Sequence, residues 1–437
     1  MNEPRERIKQ AVAWLLLPVL LVFYVQWQAA PLKFASCNDY KHIYLGSQLL
    51  FEGLSPYDRE TMQTMRDNEF ASTGDERFRS ILPYVYLPFT GFVMRPLSLL
   101  PFQQSATAFQ MLNHALLLAA LIITCFAARG IRSFAGMLTD CHFRSLLMIM
   151  TASAAFSVCL YRQNTAGQLN VVLLFGYALL ALGIMRGWRA PVIGFIAAFL
   201  MLFKLSPGIL LLWFLFRKEW KHAAWMAAWA AALTLLTVAI FGFKVHADFL
   251  PVLSQMGYGK STWPEDHFTF WRDPYNQSVN AFFHRLFVKF PESGIIPIAD
   301  FSPAAANAMT WCVSLIILAA FAWSATHSIS SKRNTLRSFA AAVLASLLLP
   351  SIMWDHYLVQ ALLPAGILLA TEPATTRGHI RKALVILCLI AMAWWVRLDQ
   401  ESFRAFPGLL LMSLELWPVL VLFALSWYPK PDITLPA

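Results

Sequence analysis

Long apolar segments recur from one end of the chain to the other and are separated by short polar connectors. Each is about 18 residues or more, long enough for an α-helix to cross a hydrocarbon layer roughly 30 Å thick. The pattern therefore predicts an all-α polytopic membrane protein with about ten full transmembrane helices. We place them at 11–30, 104–128, 145–161, 168–185, 222–243, 307–327, 337–352, 357–372, 381–397 and 408–427.

Two further apolar stretches are interrupted. The segment 84–101, "YVYLPFTGFVMRPLSLLP", carries prolines at 88, 96 and 101, and 191–216 is broken in its middle by "KLSPG". Proline removes a backbone donor and ends or kinks a helix. We predict that both are re-entrant or short helical segments that return to the side they left. Such backbone is tolerated at membrane depth only where it is buried in protein or lines a wet cavity.

The positions of Lys and Arg give an orientation. If both interrupted stretches return, nearly every short basic connector falls on one side, which the positive-inside rule makes cytoplasmic. The opposite side receives the 31–83 loop, with six Lys/Arg against eight Asp/Glu, and the 244–306 loop. The unusual polar motifs also fall on that side. We therefore predict a multi-pass protein of the inner (plasma) membrane whose active site faces the periplasm or exterior.

Composition agrees with this picture. The 437 residues are 58% hydrophobic and only 13% charged, where a soluble chain averages about 25% charged. The net charge of +10 comes from the connectors, so we expect no nucleic-acid partner. We predict one transmembrane domain over 1–437, with a first span (11–30), an outer catalytic loop (31–83), a motif-bearing core (84–365) and C-terminal spans (366–437).

The outer loop opens with "NDYKHIYLGSQLLF", whose apolar spacing is typical of an amphipathic helix at the membrane surface. Asp39 stands at its start, and two interpretations are open. It could cap free backbone N–H groups, or it could hold a carboxylate over the membrane for chemistry. Asp58, after the turn "GLSP", is expected to cap the next helix.

Lys204 is the most unusual single residue. A lysine in the middle of an apolar stretch costs about 2.5–3.5 kcal/mol on insertion scales. It could snorkel to the interface, or its ammonium could hold a phosphate at the apex of the broken helix. Arg162, Arg272 and His356 share the outer face and are further phosphate-binding candidates, although an aromatic-belt position would also explain His356. Gln168 and Asn170 lie toward the outer membrane entrance and could hydrogen-bond a polar ligand or another helix.

Several motifs are missing from the sequence. It has no P-loop, no GxGxxG in a βαβ context, no HExxH and no GxSxG. The first outer loop lacks a DxD or ExD pair for a divalent ion. We therefore expect no metal and no cofactor. A lone carboxylate with scattered cations can still serve a reaction whose leaving group is a single phosphate.

An ordered set of motifs over roughly 36–365 resembles a known family. The set consists of Asp39-Tyr40, "LLFEGLSPYD", "YVYLPFTGFVMRPLSLLP", "GQLNVVLL", "LMLFKLSPGILLL", "NQSVNAFFHRLF" and "SIMWDHYLVQALLP". Together they resemble the bacterial glycosyltransferase family 87, a group with the GT-C fold that includes polyprenol-phosphate-mannose-dependent α-1,2-mannosyltransferases.

The resemblance implies a chemistry. The donor would be a sugar, mannose in the family, linked through one phosphate to a polyprenol, and the acceptor a glycan or glycolipid. Asp39 would be the general base of an inverting displacement, and Lys204, with His356 or Arg272, would stabilise the departing phosphate. Tyr84, Gln168, Asn276 and Gln277 would shape the sugar or phosphate site.

A transporter of lipid-linked saccharide or polysaccharide is the competing interpretation, since it shares the spans, the broken helices and a buried lysine. Transporters usually have two halves with matching interrupted helices, and 191–216 has no counterpart in the second half. A structural scaffold would explain the spans but not the one-sided polar motifs.

Overall fold

A computed structural model of the chain describes residues 15–29, 36–131, 133–260, 273–290, 293–327, 331–394 and 398–427. Across these ranges the protein is built from α-helices and short 3₁₀ turns, and its only strand-like features are two isolated β-bridges. The all-α prediction is confirmed for this part of the chain.

The N-terminal half contributes a first apolar helix, two helices of the 31–83 segment and the first helices of the bundle. In order they are α1 (Leu15–Ala29), α2 (Asn38–Phe51), α3 (Arg59–Thr73), α4 (Pro88–Ser98), α5 (Phe102–Arg129), α6 (Phe134–Thr139), α7 (Cys141–Phe156), α8 (Val158–Ala166), α9 (Asn170–Arg186) and α10 (Ala190–Phe203).

The C-terminal half continues the bundle. Its helices are α11 (Ile209–Phe216), α12 (Trp220–Phe241), α13 (Phe243–Gln255), α14 (Val279–Phe287), α15 (Pro303–His327), α16 (Lys332–Leu348), α17 (Leu362–Thr371), α18 (Thr376–Ala393), α19 (Gly408–Met412) and α20 (Leu416–Trp427).

Three of the described helices, α5, α12 and α15, are each long and apolar enough to cross a membrane. Helices α7 and α8 would form a fourth span if the pair, bent by 59°, is counted as one. Three other predicted spans, 11–30, 168–185 and 408–427, fall on the shorter apolar helices Leu15–Ala29, Asn170–Arg186 and Leu416–Ser426. The count of ten spans therefore stays a prediction.

The interrupted stretches form the predicted short helices. Helix α4 has 11 residues, or about 16 Å at 1.5 Å per residue, too short to cross. In 191–216, helix α10 ends at Phe203, a 3₁₀ turn covers Ser206–Gly208, and α11 follows.

Both ends of the 191–216 segment lie at one end of the bundle. Its first helix begins just after Arg186, and the neighbouring Met185 carbonyl accepts a hydrogen bond from Lys332 at the start of α16. Arg217, at its far end, donates to Thr335 one turn along the same helix. The segment is thus a hairpin, and Lys204 lies at its apex.

We call the end of the bundle that holds Met185, Arg217 and Lys332 the connector end. The central helix α16 starts there and is buried from Asn334 to Leu348. Charges at the connector end are paired with one another. Buried Glu372 accepts hydrogen bonds from Arg337 at 2.7 Å and from Arg381 at 2.9 Å.

Candidate active site

A cavity of about 720 Å³ lies at the opposite end of the bundle from the connectors. Residues from seven separate segments line it, and all seven fall on the side that the sequence predicts to be outer. The polar and aromatic lining residues include Asn38, Asp39, His42, Tyr86, Arg162, Gln168, Lys204, Asp273, Tyr275, Trp354, Asp355, His356 and Tyr357.

Asp39 lies in the first turn of α2 and lines the cavity. The N-cap residue of α2 is Cys37, in a left-handed conformation, and no side chain caps the helix. Asp39 is therefore not the N-cap, and the capping interpretation does not describe it. Asp58, in contrast, is the N-cap of α3 and accepts from the Thr61 N–H at 2.9 Å, as predicted.

Contacts on both sides of Asp39 hold α2 in place. The Cys37 N–H donates to the Thr165 carbonyl at 2.9 Å, which ties the start of the helix to the end of α8. The Tyr40 ring stacks on Phe109 with centroids 4.7 Å apart, and its hydroxyl bonds to Ser105 at 2.6 Å. These contacts fix the backbone that carries the Asp39 carboxylate.

A histidine of the same helix is held neutral. His42 is buried, and its Nε2 accepts the Leu82 N–H at 2.7 Å. Burial lowers the pKa of His42 to about 3. The side chain thus joins α2 to the 82–87 stretch that forms another wall of the cavity, and it carries no charge near neutral pH.

A glycine permits the close approach of α2 and α8. Gly167 has φ of +71°, and a Cβ there would lie 2.6 Å from the Tyr40 Cβ. Any side chain would therefore strain the backbone and push the helix that carries Asp39.

Lys204 lies at the hairpin apex in extended backbone, with φ −156° and ψ 137°. Its ammonium donates to Asn170 Oδ1 at 3.0 Å and lies 3.3 Å from the centroid of the Tyr357 ring. The side chain lines the cavity, so it turns inward rather than snorkelling toward the membrane surface. Asp39 lies close enough for its charge to act on Lys204.

Arg162, Asp355 and His356 form a second charged group on the cavity wall. Asp355 is buried, forms an ion pair with Arg162, and faces His356 Nδ1 at 3.2 Å. Arg162 also lies 4.6 Å from the centroid of the Tyr275 ring. His356 is thus brought to the cavity, although Asp355 already engages one of its nitrogens.

Gln168 also reaches the cavity, where its Oε1 accepts from the Tyr86 hydroxyl at 3.3 Å. Arg272 lies outside the described residues.

Three other predicted substrate-binding residues are not brought to the cavity wall. Tyr84 is buried and packs against Gly46 and Gly91. The Asn276 Oδ1 accepts the backbone N–H groups of Ser278 and Met353, both at 3.1 Å.

Gln277 is also fully buried and serves the backbone of the C-terminal segment. Its Nε2 donates to the Met412 carbonyl at 2.9 Å, and its Oε1 accepts the Glu415 N–H at 3.1 Å. Asn276 and Gln277 are therefore scaffold residues in this structure, because their amides are used by backbone groups.

Sequence reasoning missed several residues of the site. Asp273 and Tyr275 belong to "WRDPYNQS", where the predicted site residues are the neighbouring Arg272, Asn276 and Gln277. Burial raises the pKa of the Asp273 carboxyl. Glu415 is buried, and its Oε1 lies 3.9 Å from Arg162 Nη1. It belongs to the C-terminal part of the chain, outside the motifs that resemble the family.

One group of potential metal ligands occurs among the described residues, and it lies far from the cavity. Asp140, Cys141 and His142 adjoin one another in sequence at the start of α7. Asp140 is already the N-cap of that helix and pairs with Arg129. The capping of α7 by Asp140 thus explains why these three residues lie together.

Comparisons with known proteins bear on this site. The sequence model of glycosyltransferase family 87 matches residues 84–353. A relative from Mycobacterium tuberculosis (strain CDC 1551 / Oshkosh) is 26% identical over 324 residues, which cover 74% of this chain and 67% of the relative. That protein is a polyprenol-phosphate-mannose-dependent alpha-(1-2)-phosphatidylinositol pentamannoside mannosyltransferase.

Proposed function

The chain belongs to glycosyltransferase family 87, and we propose that it transfers mannose from a polyprenyl-phosphate donor to a glycan or glycolipid acceptor. It is a glycosyltransferase, so the transporter alternative is not retained. The observation that carries the proposal is the meeting of Asp39 and Lys204 in one cavity, from segments far apart in the chain.

Asp39 acts as the general base in this proposal. The acceptor hydroxyl oxygen attacks the anomeric carbon from the face opposite the phosphate, and Asp39 takes the hydroxyl proton. The bond between the anomeric carbon and the phosphate oxygen breaks, and its electron pair leaves with the polyprenyl phosphate. The anomeric configuration is inverted by this single displacement.

Lys204 stabilises the departing phosphate. Among the described residues it has no ion-pair partner, and its bonded partner is the neutral amide of Asn170. Its positive charge is therefore offset only through space, chiefly by Asp39, and it can meet a phosphate monoester without first breaking a salt bridge. His356 supplies a second contact from the adjacent wall. No metal is required, because the cations take the part that a divalent ion would play.

The family and the apolar helices support a GT-C fold in the inner membrane. In this proposal the chain forms one domain with about ten spans, and the cavity faces the periplasm. Cysteine labelling from either side tests the topology. Labels at 186–190 and 217–221 should react from the same, cytoplasmic side, and finding them on opposite sides would remove the hairpin.

Transfer itself is tested with purified protein in lipid nanodiscs. Polyprenyl-phosphate-[¹⁴C]mannose is supplied with a panel of glycan and glycolipid acceptors, and label is followed into each. Transfer to at least one acceptor, absent from an Asp39→Asn preparation, is the expected result. A donor carrying another hexose that is used faster would overturn the assignment of mannose.

A further inference from the structure

Lys204 has only one direct hydrogen-bond partner among the described residues, and that partner is an amide. The ammonium carries only donors, so the Asn170 atom that faces it at 3.0 Å must be the oxygen. Asn170 is fully buried and does not line the cavity. It therefore acts on a ligand in the cavity through the residues it bonds, and of these direct partners only Lys204 lines the cavity.

Two further amides set the orientation of the Asn170 side chain. Its Nδ2 donates to Gln163 Oε1 at 2.8 Å, while its Oδ1 also accepts from Gln360 Nε2 at 3.0 Å. Gln163 in turn donates its own Nε2 to the Gln168 carbonyl. Each amide fixes the next, so rotation of the Asn170 amide would set oxygen against oxygen and nitrogen against ammonium.

The aromatic ring of Tyr357 covers another side of the ammonium, and Lys204 Nζ lies 3.3 Å from the ring centroid. Together the ring and the amide oxygen leave the remaining N–H groups of Lys204 for the cavity. Both partners are neutral, so they locate the ammonium without cancelling its charge. A carboxylate in place of Asn170 would locate it equally well but would compete with a phosphate.

We infer that Asn170 is a positioning residue, which holds the Lys204 ammonium where the phosphate of the lipid-linked donor and product binds. This inference rests on the proposed function for the identity of the phosphate. The hydrogen-bonded series of Gln168, Gln163, Asn170 and Gln360 joins α8, α9 and the 3₁₀ turn Asp355–Ala361. The position of the Lys204 ammonium therefore depends on how these three elements pack.

The test is a double-mutant cycle read out by binding. The probe is polyprenyl monophosphate, titrated into the full chain in nanodiscs as wild type, Asn170→Leu, Lys204→Met and the double variant. Asn170→Leu should weaken binding about 10-fold when Lys204 is present, and less than about 2-fold when Lys204 is already Met. A purely structural role would give the same loss in both backgrounds.

A second substitution guards against loss of folding. Gln360→Met removes one bond to Asn170 and should weaken binding by a smaller factor, again only in the presence of Lys204. The control is Asn280→Leu, which removes a buried amide whose Nδ2 donates to the Ser351 carbonyl at 3.4 Å. Its effect should be the same with and without Lys204.

Equal losses in the two backgrounds, wild-type affinity in Asn170→Leu, or wild-type affinity in Lys204→Met would each overturn the inference. The proposed function fails differently. If polyprenyl monophosphate binds with the expected dependence on Asn170 but no labelled sugar is ever transferred, the transfer reaction is wrong and the positioning role stands.

Discussion

The two ends of the helix bundle both contain paired charges, but among the described residues the cavity end also holds a cation, Lys204, whose direct partners are neutral. At the connector end Glu372 receives two arginines, and both arginines also donate to the Leu425 carbonyl. At the cavity end the Lys204 ammonium contacts the neutral Asn170 amide and the Tyr357 ring, and the Asp39 carboxylate does not cap α2. A buried charge that is fully paired serves the fold, whereas one left with neutral partners beside a cavity is available to a ligand.

The largest expected effect is on catalysis at Asp39. Asp39→Asn keeps the size of the side chain and its place on the helix but removes the proposed general base, and such a base typically contributes 10²–10⁴-fold. We expect normal insertion and donor binding with transfer reduced by about that factor, measured as label moved to acceptor.

The matched controls for Asp39 are two acids of the same loop outside the cavity wall. Asp58→Asn retains an N-cap, and Glu52→Gln alters an exposed residue, so both should keep most of the transfer rate. Near wild-type transfer by Asp39→Asn would move the base elsewhere, with His356 and Asp355 the first places to look.

The next effect belongs to the connector end and to stability. Arg337→Met leaves Glu372 buried with one partner fewer, and removal of one member of a buried pair costs roughly 3–5 kcal/mol. We expect a lower unfolding midpoint in detergent and less folded protein.

The protein that does fold should transfer sugar at close to the normal rate per molecule. If Arg337→Met instead slowed the reaction without lowering stability, the connector end would take part in function and the contrast between the two ends would be lost.

Lys204→Met should lower the transfer rate by about 10²–10³, as loss of one charge-stabilising group does. Lys204→Arg should recover only part of it, because the guanidinium is planar and cannot occupy the same point beside the Tyr357 ring. Rates are measured on protein shown to be inserted and monodisperse. Full activity of Lys204→Met would revive the snorkelling interpretation.

The smallest expected effect is none. EDTA should leave transfer unchanged, since the cations of the cavity replace a divalent ion in the proposed reaction. Loss of activity in EDTA, followed by recovery with Mg²⁺ or Mn²⁺, would show that a metal site had been overlooked and that Lys204 does not act alone.

The sequence predicted the parts of this architecture that depend on local pattern. The helical class, the short interrupted segments and the Asp58 cap all follow from spacing and from proline, glycine and Asx chemistry. The Lys/Arg distribution predicted that Asp39 and Lys204 share the outer face. Their joint role in one reaction came only through the resemblance, because no local rule relates a helix start to a hairpin apex much later in the chain.

Two of the predicted site residues that lie away from the cavity wall, Asn276 and Gln277, are buried amides. In sequence, Gln277 and Gln168 look alike, as polar residues beside apolar runs. Gln277 is used by the Met412 carbonyl and the Glu415 N–H, which come from a segment that a single sequence does not connect to it. Which amides face a cavity is decided by such distant packing, so side-chain chemistry alone could not separate the two.

The residues that hold Lys204 in place are synthesised at different times. Asn170 precedes it in the chain, but Tyr357, and Gln360 that donates to Asn170, follow roughly 150 residues later, a delay of about 8–30 s at the usual pace of synthesis. During that time neither the ring that covers the ammonium nor the glutamine that helps to orient Asn170 has been synthesised. The surroundings of Lys204 are therefore complete only after Gln360 has been synthesised, and a chain that stops before Tyr357 lacks both the ring and the second amide bond to Asn170.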